Sequence, residues 1–353
     1  MALFDIKKLL QSVVAHNASD LHLVSRSEPQ IRLDGVLKPV NLPKLTGEDI
    51  EEMCYSLITE KQKQHFEEYD ELDFALELPN IGRFRANYYR TMGDVAAAFR
   101  VIPIDVPSLD DLAAPFVYKK LVKREKGLIL VTGPTGSGKS TTLAAMLNEI
   151  NLNEQKHIVT VEDPVEFIHQ NKKCIFSHRN IGEDTKSFAT ALKYAMRQDP
   201  DIILIGEMRD KETIAAALTA AETGHLVFGT LHTSSAPSTI NRIIDVFNGD
   251  EQPQIRAMLS SSLVAIIAQA LLPKLGGGRV AASEILVTNH AINNLIREDK
   301  VHQIYSQMQL GQGDTGMQTQ TQALVKFVRE GKVARDVALQ FSNKPEELSK
   351  ALI

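Results

Sequence analysis

The residues with the most specific chemical meaning are Gly133, Pro134, Thr135, Gly136, Ser137, Gly138, Lys139 and Ser140. They fit G-x-x-x-x-G-K-[ST] between an apolar run and a helical one. Glycines at this spacing let the backbone curl until successive N–H groups face phosphate oxygens. A helix starting directly afterwards adds about half a positive charge at its N-terminus. Lys139 supplies a point charge to the β- and γ-phosphates and Ser140 a hydroxyl to Mg2+, with Thr141 extending the phosphate-binding run. The chemistry this points to is binding and hydrolysis of a nucleoside triphosphate.

Such a loop needs a carboxylate on the metal side and a group that orients the attacking water. The run Ile202-Ile203-Leu204-Ile205 ends in Gly206-Glu207, which puts Glu207 at the C-terminal end of a strand, where open α/β sheets bind ligands. The run 157–161 ends in Glu162-Asp163-Pro164-Val165-Glu166. Carboxylates this close repel one another unless a cation or a water network shares them. On residue type alone, Glu162, Asp163 and Glu166 are equal candidates for the general base. His225 opens the run 226–230, and His232 follows its C-terminal end beside Thr233, on the side where the phosphates are expected.

These groups need elements to carry them. Short β-rich runs at 127–132, 157–161, 202–206, 226–230 and 280–286, separated by helical segments, predict a parallel α/β sheet covered on both faces. The first hundred residues read differently. Apolar residues from Leu3 and Phe4 to Val14 recur at helical spacing, and 20–24 and 30–33 read as strands, the second ending in an Asp34-Gly35 turn. Thr46 with Asp49 caps a further helix. Alternation at Leu72, Phe74, Leu76 and Leu78, and at Phe84, Ala86 and Tyr88, gives two more strands, followed by one over 95–102. The expected organisation is an α+β domain over 1–102 and a linker over 103–118 punctuated by Pro103, Pro107 and Pro115. An α/β core over 119–287 follows, then a helical part over 288–353 with a polar Gly/Gln loop at 311–322.

Composition limits the alternatives. The 353 residues are 43% apolar and 24% charged, which excludes a disordered chain, a fibrous repeat and a disulfide-stapled mini-protein. The 39 basic and 44 acidic residues leave a net charge of −5, the wrong sign for a protein that coats nucleic acid. No apolar stretch approaches the roughly 18 residues that span a bilayer, and no signal peptide is visible at the start. The two cysteines, Cys54 and Cys174, lack the spacing of a zinc site. The expectation is a soluble cytoplasmic protein with no nucleic-acid partner and no membrane insertion.

In order and spacing, the phosphate loop, the acidic box 162–166, the strand ending Gly206-Glu207-Met208-Arg209-Asp210 and the histidine box 223–232 resemble the secretion ATPase superfamily. These are the hexameric motors of type II secretion, type IV secretion and type IV pili. The resemblance narrows to the type IV pilus retraction ATPases, the PilT type. It does so through Ala18-Ser19-Asp20-Leu21-His22-Leu23, Arg83-Phe84-Arg85 and Ala291-Ile292-Asn293-Asn294-Leu295-Ile296-Arg297-Glu298, and it covers essentially the whole chain. One position departs. The retraction signature carries arginine at its third residue, where this chain has Asn293, whose neutral amide cannot make bidentate salt bridges.

The resemblance implies an α/β fold: a RecA-like P-loop ATPase core, a small PAS-like N-terminal α+β domain and a helical C-terminal subdomain. It implies ATP and Mg2+ as cofactors, and a homohexamer docked on an inner-membrane pilus platform protein at the cytoplasmic face of the inner membrane. The work implied is pilin depolymerisation for twitching motility, with the pilin filament engaged only indirectly. By position it implies Glu166 as general base and Glu207 as the carboxylate on the Mg2+ side, alongside Ser140. It also implies phosphate-sensing or regulatory roles for His225 and His232.

A phosphoryl transition state usually draws on an arginine besides the P-loop lysine, and neither the phosphate loop nor the acidic box contains one. Period-two alternation puts Arg83 and Arg85 opposite the Phe84, Ala86 and Tyr88 face, and Arg100 opposite the Phe99 and Val101 face. If the two strands form a hairpin, Arg85 and Arg100 share one exposed face. The resemblance makes them arginine fingers supplied by domain closure or by a neighbouring subunit. An auxiliary pilus or secretion-system ATPase is the alternative within the same family. A nucleic-acid motor is disfavoured by the acidic charge and by the lack of a basic-and-aromatic stretch. The complete carboxylate set disfavours a scaffold that binds ATP without turnover.

Overall fold

The structure, a computed structural model, describes residues 5–33, 35–102, 105–310 and 312–353. Leu3 and Phe4 of the expected opening helix, Asp34 of the expected turn, and Pro103 and Gly311 lie outside the described residues. The chain divides into two compact units, Met1–Asp105 and Val106–Ile353.

The first unit runs α1 (Ile6–Ala15), β1 (Asp20–Leu23), β2 (Gln30–Leu33), β3 (Val36–Pro39), α2 (Gly47–Tyr55), α3 (Glu60–Tyr69), β4 (Glu71–Leu78), β5 (Gly82–Thr91) and β6 (Asp94–Ile102). Local chemistry starts the helices. The Asp5 carboxylate accepts from the Lys7 N–H, and Thr46 with Asp49 and Thr59 with Gln62 form capping boxes. Among the described residues the strands form one antiparallel sheet in the order β3-β2-β1-β6-β5-β4. Leu21, Leu72, Phe74, Phe84, Tyr88 and Phe99 join Ile6, Leu10, Ile50 and Phe66 from the helices in a single core. Alternation leaves the opposite face to Asp20, Arg85 and Arg100.

The second unit opens with α4 (Val117–Leu121), β7 (Gly127–Thr132), α5 (Lys139–Asn153), β8 (His157–Glu162), β9 (Ile175–Asn180), α6 (Phe188–Ala195), β10 (Ile202–Ile205), α7 (Lys211–Glu222) and β11 (Leu226–Leu231). It continues with α8 (Ala236–Asp245), α9 (Gln252–Ser262), β12 (Leu263–Pro273), β13 (Arg279–Val287) and α10 (His290–Arg297). It ends with α11 (Ile304–Leu310), α12 (Gln312–Thr315), α13 (Gln320–Arg329), α14 (Arg335–Phe341) and α15 (Pro345–Ala351). The sheet order is β13-β12-β7-β11-β10-β8-β9. β7, β10 and β11 are buried at every position, so both faces of the sheet are covered.

The structure departs from the sequence expectation in several places. Residues 280–286 belong to β13, which is antiparallel, not parallel. Its turn from β12 contains Gly276, Gly277 and Gly278, all at positive φ, and is far too short for the crossover a parallel pair needs. β9 and β12 were not anticipated: β9 mixes His, Arg and Asn with its apolar residues, and β12 follows α9 with no turn residue between them. The expected polar loop at 311–322 contains α12 and the first turn of α13, which Thr319 and Gln322 start with a capping box. Finally, residues 106–118 pack against the second unit: Leu109, Val117 and Tyr118 join its core, and the Tyr118 hydroxyl donates to Ser283 Oγ at 3.0 Å.

The packing also shows no break at residue 288. Ile292 and Ile296 of α10, Ile304 and Met308 of α11, and Met317 share the main sheet core. A separate apolar cluster sits where Leu272 of β12 and Ala282 of β13 meet Leu324, Ala338 and Leu348 from α13, α14 and α15.

Candidate nucleotide site

The phosphate loop leaves β7 at Thr132, and the Gly133 N–H donates to the Leu231 carbonyl at 3.3 Å. Gly133 has φ +140, and a side chain there would run into the Gln269 carbonyl and Ser137 Oγ. Only glycine fits where the loop passes so close to β12. Gly136 and Gly138 sit at φ +79 and +88 with nothing within 4 Å on their open side, so the curl faces outward. Gly138 caps α5 without a side-chain hydrogen bond, which leaves the first N–H groups of α5 for an external anion. The buried hydroxyls of Thr132 and Ser137 have no hydrogen-bond partner. This chemistry fits a nucleoside triphosphate.

Lys139 folds back over the loop, its Nζ donating to the carbonyls of Gly133 at 2.9 Å and Pro134 at 3.1 Å. Burial pulls its pKa below the usual lysine value, while the charges of Glu207 and Glu166 oppose that pull. The structure thus brings Lys139, Glu207 and Glu166 within electrostatic reach of one another.

Glu207 follows β10. The Met208 N–H donates to the Thr230 carbonyl at 3.0 Å, and the Thr230 hydroxyl donates to the Gly206 carbonyl, so both sides of Glu207 are tied to β11. Its carboxylate pairs with Arg209 and lies 3.1 Å from His232 Nε2. Burial would raise its pKa, but hydrogen bonding and charge from Arg209, then from His232, hold it below the usual glutamate value. Arg209 is the contact that sequence reading missed, although it stands only two residues after Glu207.

In the acidic box, Glu162 ends β8 almost fully buried, and its Oε2 accepts from the Glu166 N–H at 3.3 Å. Asp163 and Glu166 are exposed on the irregular segment that follows. His232 stands at the C-terminal end of β11. His225 does not join it: it lies at the opposite end of that strand, beside Gly127, with its ring Nδ1 3.0 Å from the Ala220 carbonyl. The length of β11 separates it from the phosphate loop.

Ser140, in the first turn of α5, and Glu207 are the side chains that would hold Mg2+. Few protein ligands are needed, because Mg2+ in such sites keeps waters and takes substrate phosphates. Among the described residues no group of three or more His, Cys, Asp and Glu forms a metal cage.

In the first unit, Arg85 and Arg100 face each other as register partners on β5 and β6. Each is held by a carboxylate. Arg85 Nε donates to Asp73 Oδ1 at 3.1 Å, and Arg100 Nε to Asp20 Oδ1 at 2.8 Å. Asn293, the departure from the retraction signature, sits half-buried on α10 next to buried Ile292.

The family described as Type II/IV secretion system protein matches residues 3–339. The chain is 50% identical over 342 residues to the protein of Pseudomonas aeruginosa named type IV pilus retraction ATPase PilT, covering 97% of this chain and 99% of the other. It is 48% identical over 347 residues to a protein of Neisseria gonorrhoeae named twitching motility protein, covering 98% of this chain and 92% of that one. Among solved structures, the pilus retraction motor PilT with bound ADP matches with a TM-score of 0.91 and 48% identity, covering 98% of this chain and 99% of that one. A match of this length, on a chain with an intact phosphate loop, leaves one assignment: the chain belongs to the Type II/IV secretion system protein family.

Proposed function

We propose that the chain is a motor ATPase of the pilus-retraction type, which couples Mg-ATP hydrolysis to removal of pilin from the base of a type IV pilus. The observation that carries this reading is one cluster: Lys139, Glu207, His232 and Glu166 lie around the C-terminal ends of β7, β8, β10 and β11, in a chain 50% identical to a retraction ATPase. In this reading the phosphate loop with Thr141 binds the phosphates, and Lys139 neutralises the charge that develops on transfer. Glu166 is the general base: it is exposed and its charge is felt at Lys139, whereas Glu162 is buried and its carboxylate accepts from the Glu166 N–H. Ser140 and Glu207 would hold Mg2+, which when bound would supply further charge neutralisation on the phosphate oxygens. His232 senses the phosphate end through Glu207. We assign His225 a structural part, tying the start of β11 to α7.

Arg85 and Arg100 act as arginine fingers in trans or on closure of the N-terminal unit. The working assembly is a homohexamer on an inner-membrane platform protein, at the cytoplasmic face. No helix among the described residues is long and apolar enough to cross a membrane. Deleting the gene and scoring pili and twitching together tests the reading: pili that accumulate while twitching stops support it, and normal twitching refutes it.

A further inference from the structure

Glu284 stands in β13 between Ser283 and Ile285, 3% exposed, and the site chemistry does not use it. Its Oε1 accepts from the Ala236 N–H at 2.8 Å, and the Gln320 N–H hydrogen-bonds the same carboxylate. Ala236 and Gln320 are the first residues of α8 and α13. One carboxylate therefore satisfies orphan N–H groups of two helices and faces the positive ends of both dipoles.

Stability alone does not account for this charge. Burial raises the Glu284 pKa, ahead of the two N–H bonds that lower it. A carboxyl whose folded pKa is raised favours the protonated form in the fold. Its ionised form weakens the fold as pH rises above the unfolded value of 4.5.

The path of the chain suggests what the charge is for. Glu284 pairs with Ala268 in β12, Ala268 with Thr132 in β7, and Thr132 with Leu231 in β11. The row ends one residue before His232. Residues 232–235 then lead into α8, which packs against β12 and β13, and Glu284 holds its first residue. The same loop is tied again from the C-terminal part: Asn343 Nδ2 donates to the Ser234 carbonyl at 2.8 Å, and the Asn343 N–H donates to Gln320 Oε1 at 2.8 Å. A cleft of about 450 Å³ beside the loop is lined by Ser234, Ser235, Glu284, Tyr305, Gln320 and Lys344. These hydrogen bonds add to the loop's own Ser235–Ser238 capping box and the Thr233–Thr239 hydroxyl contact in fixing its position.

We propose that Glu284 is a positioning residue: it pins the start of α8 so that His232 is presented to Glu207, and by holding α13 as well it makes the C-terminal helices follow the phosphate sensor. The inference rests on the reading of His232 as that sensor.

The test uses the purified full-length chain with Glu284→Gln, Asn343→Ala, His232→Ala and the Glu284→Gln/His232→Ala pair. Glutamine keeps one acceptor but turns an NH2 donor toward the second helix. We expect Glu284→Gln to unfold cooperatively near the parent Tm and to bind a fluorescent ATP analogue almost unchanged. Its kcat should fall roughly ten- to hundred-fold, the scale of a misplaced catalytic group. Because both changes act through His232, the double variant should be no slower than His232→Ala alone. A folded Glu284→Gln with parent kcat, or effects that multiply in the double variant, overturns the proposal. Should Glu284→Gln fail to fold, Asn343→Ala loosens the same loop from an exposed position. It should also lower kcat in a His232-dependent way, and parent-level turnover there overturns the proposal. Parent-level turnover in His232→Ala removes the sensor reading and this inference together. An impaired His232→Ala beside a normal Glu284→Gln removes the inference alone.

Discussion

Arg100→Ala separates folding from turnover. The Arg100 side chain is 66% exposed and its Nε donates to Asp20 at 2.8 Å. Asp20 itself is nearly buried and keeps two other partners, the Ser19 hydroxyl at 2.7 Å and Arg32 at 3.5 Å. The substitution takes one charge-assisted hydrogen bond from a carboxylate that is not left alone, which costs about 1.5–3 kcal/mol. Stranding a buried charge would cost roughly 3–5 kcal/mol. Arg85 sits directly opposite, so removing Arg100 also relieves a like-charge pair. Against a folding stability on the order of 5–15 kcal/mol the chain stays folded.

An arginine supplied to a phosphoryl transition state is worth about a thousand-fold or more in kcat, or about 4 kcal/mol. Partial unfolding cannot mimic a loss of that size. Phosphate release at saturating Mg-ATP, with thermal unfolding measured on the same preparation, should show a small fall in Tm and at least roughly a thousand-fold fall in kcat. ATP binding should stay largely intact. Turnover within a few-fold of the parent would refute the finger assignment. For supply from a neighbouring subunit, mixing Arg100→Ala with Glu166→Gln chains should restore part of the activity, since some interfaces then combine an intact base with an intact finger. A mixture as inactive as its components, in rings shown to have exchanged subunits, rules that version out.

Lys139→Ala should abolish turnover while leaving a folded chain, because the site loses its fixed cation; near-normal steady-state hydrolysis would take the loop out of the mechanism. Glu166→Gln should bind Mg-ATP like the parent yet hydrolyse it at least about a hundred-fold more slowly. Glu207→Gln should show a defect that responds to Mg2+ concentration; a dead Glu162→Gln beside an active Glu166→Gln would move the base. The Asp20 carboxyl lies below its usual value of 3.8, because the Ser19 and Arg100 hydrogen bonds outweigh the burial that would raise it. A lowered folded pKa gives stability that is complete above the unfolded value and is lost as pH falls through the folded one. The Tm gap between the parent and Asp20→Asn should therefore be steady near neutral pH and close below 3.8; a gap that widens in acid contradicts this.

The sequence made the nucleotide site legible where chemistry is local. Residues 133–140 constrain one another within a single turn, and Glu207 declares itself because it ends an apolar strand. Arg85 and Arg100 could be placed on one face by counting in twos, and the register makes them direct partners. What stayed hidden depends on contacts between distant segments. Nothing near Asp20 in sequence announces Arg100, eighty residues away, as its partner. Nothing in the run 280–286 singles out Glu284, whose two backbone partners come from the starts of α8 and α13. His225 and His232 flank the same run, and its direction, already legible in the sequence, puts one at the phosphate end and the other a strand length away.

A common feature links these contacts. The strong charges of the proposed machinery are held by protein partners in this structure: Lys139 by the loop's own carbonyls, Glu207 by Arg209 and His232, Arg85 by Asp73 and Arg100 by Asp20. Substrate binding would then exchange partners more than it creates new contacts, so its net free energy is a difference between similar terms. Groups already oriented need little reorganisation when charge develops on the transferred phosphoryl. For such a site the partners given up matter as much as those gained. In this reading Asp20, Asp73 and Arg209 would set how readily each charge is released to the substrate.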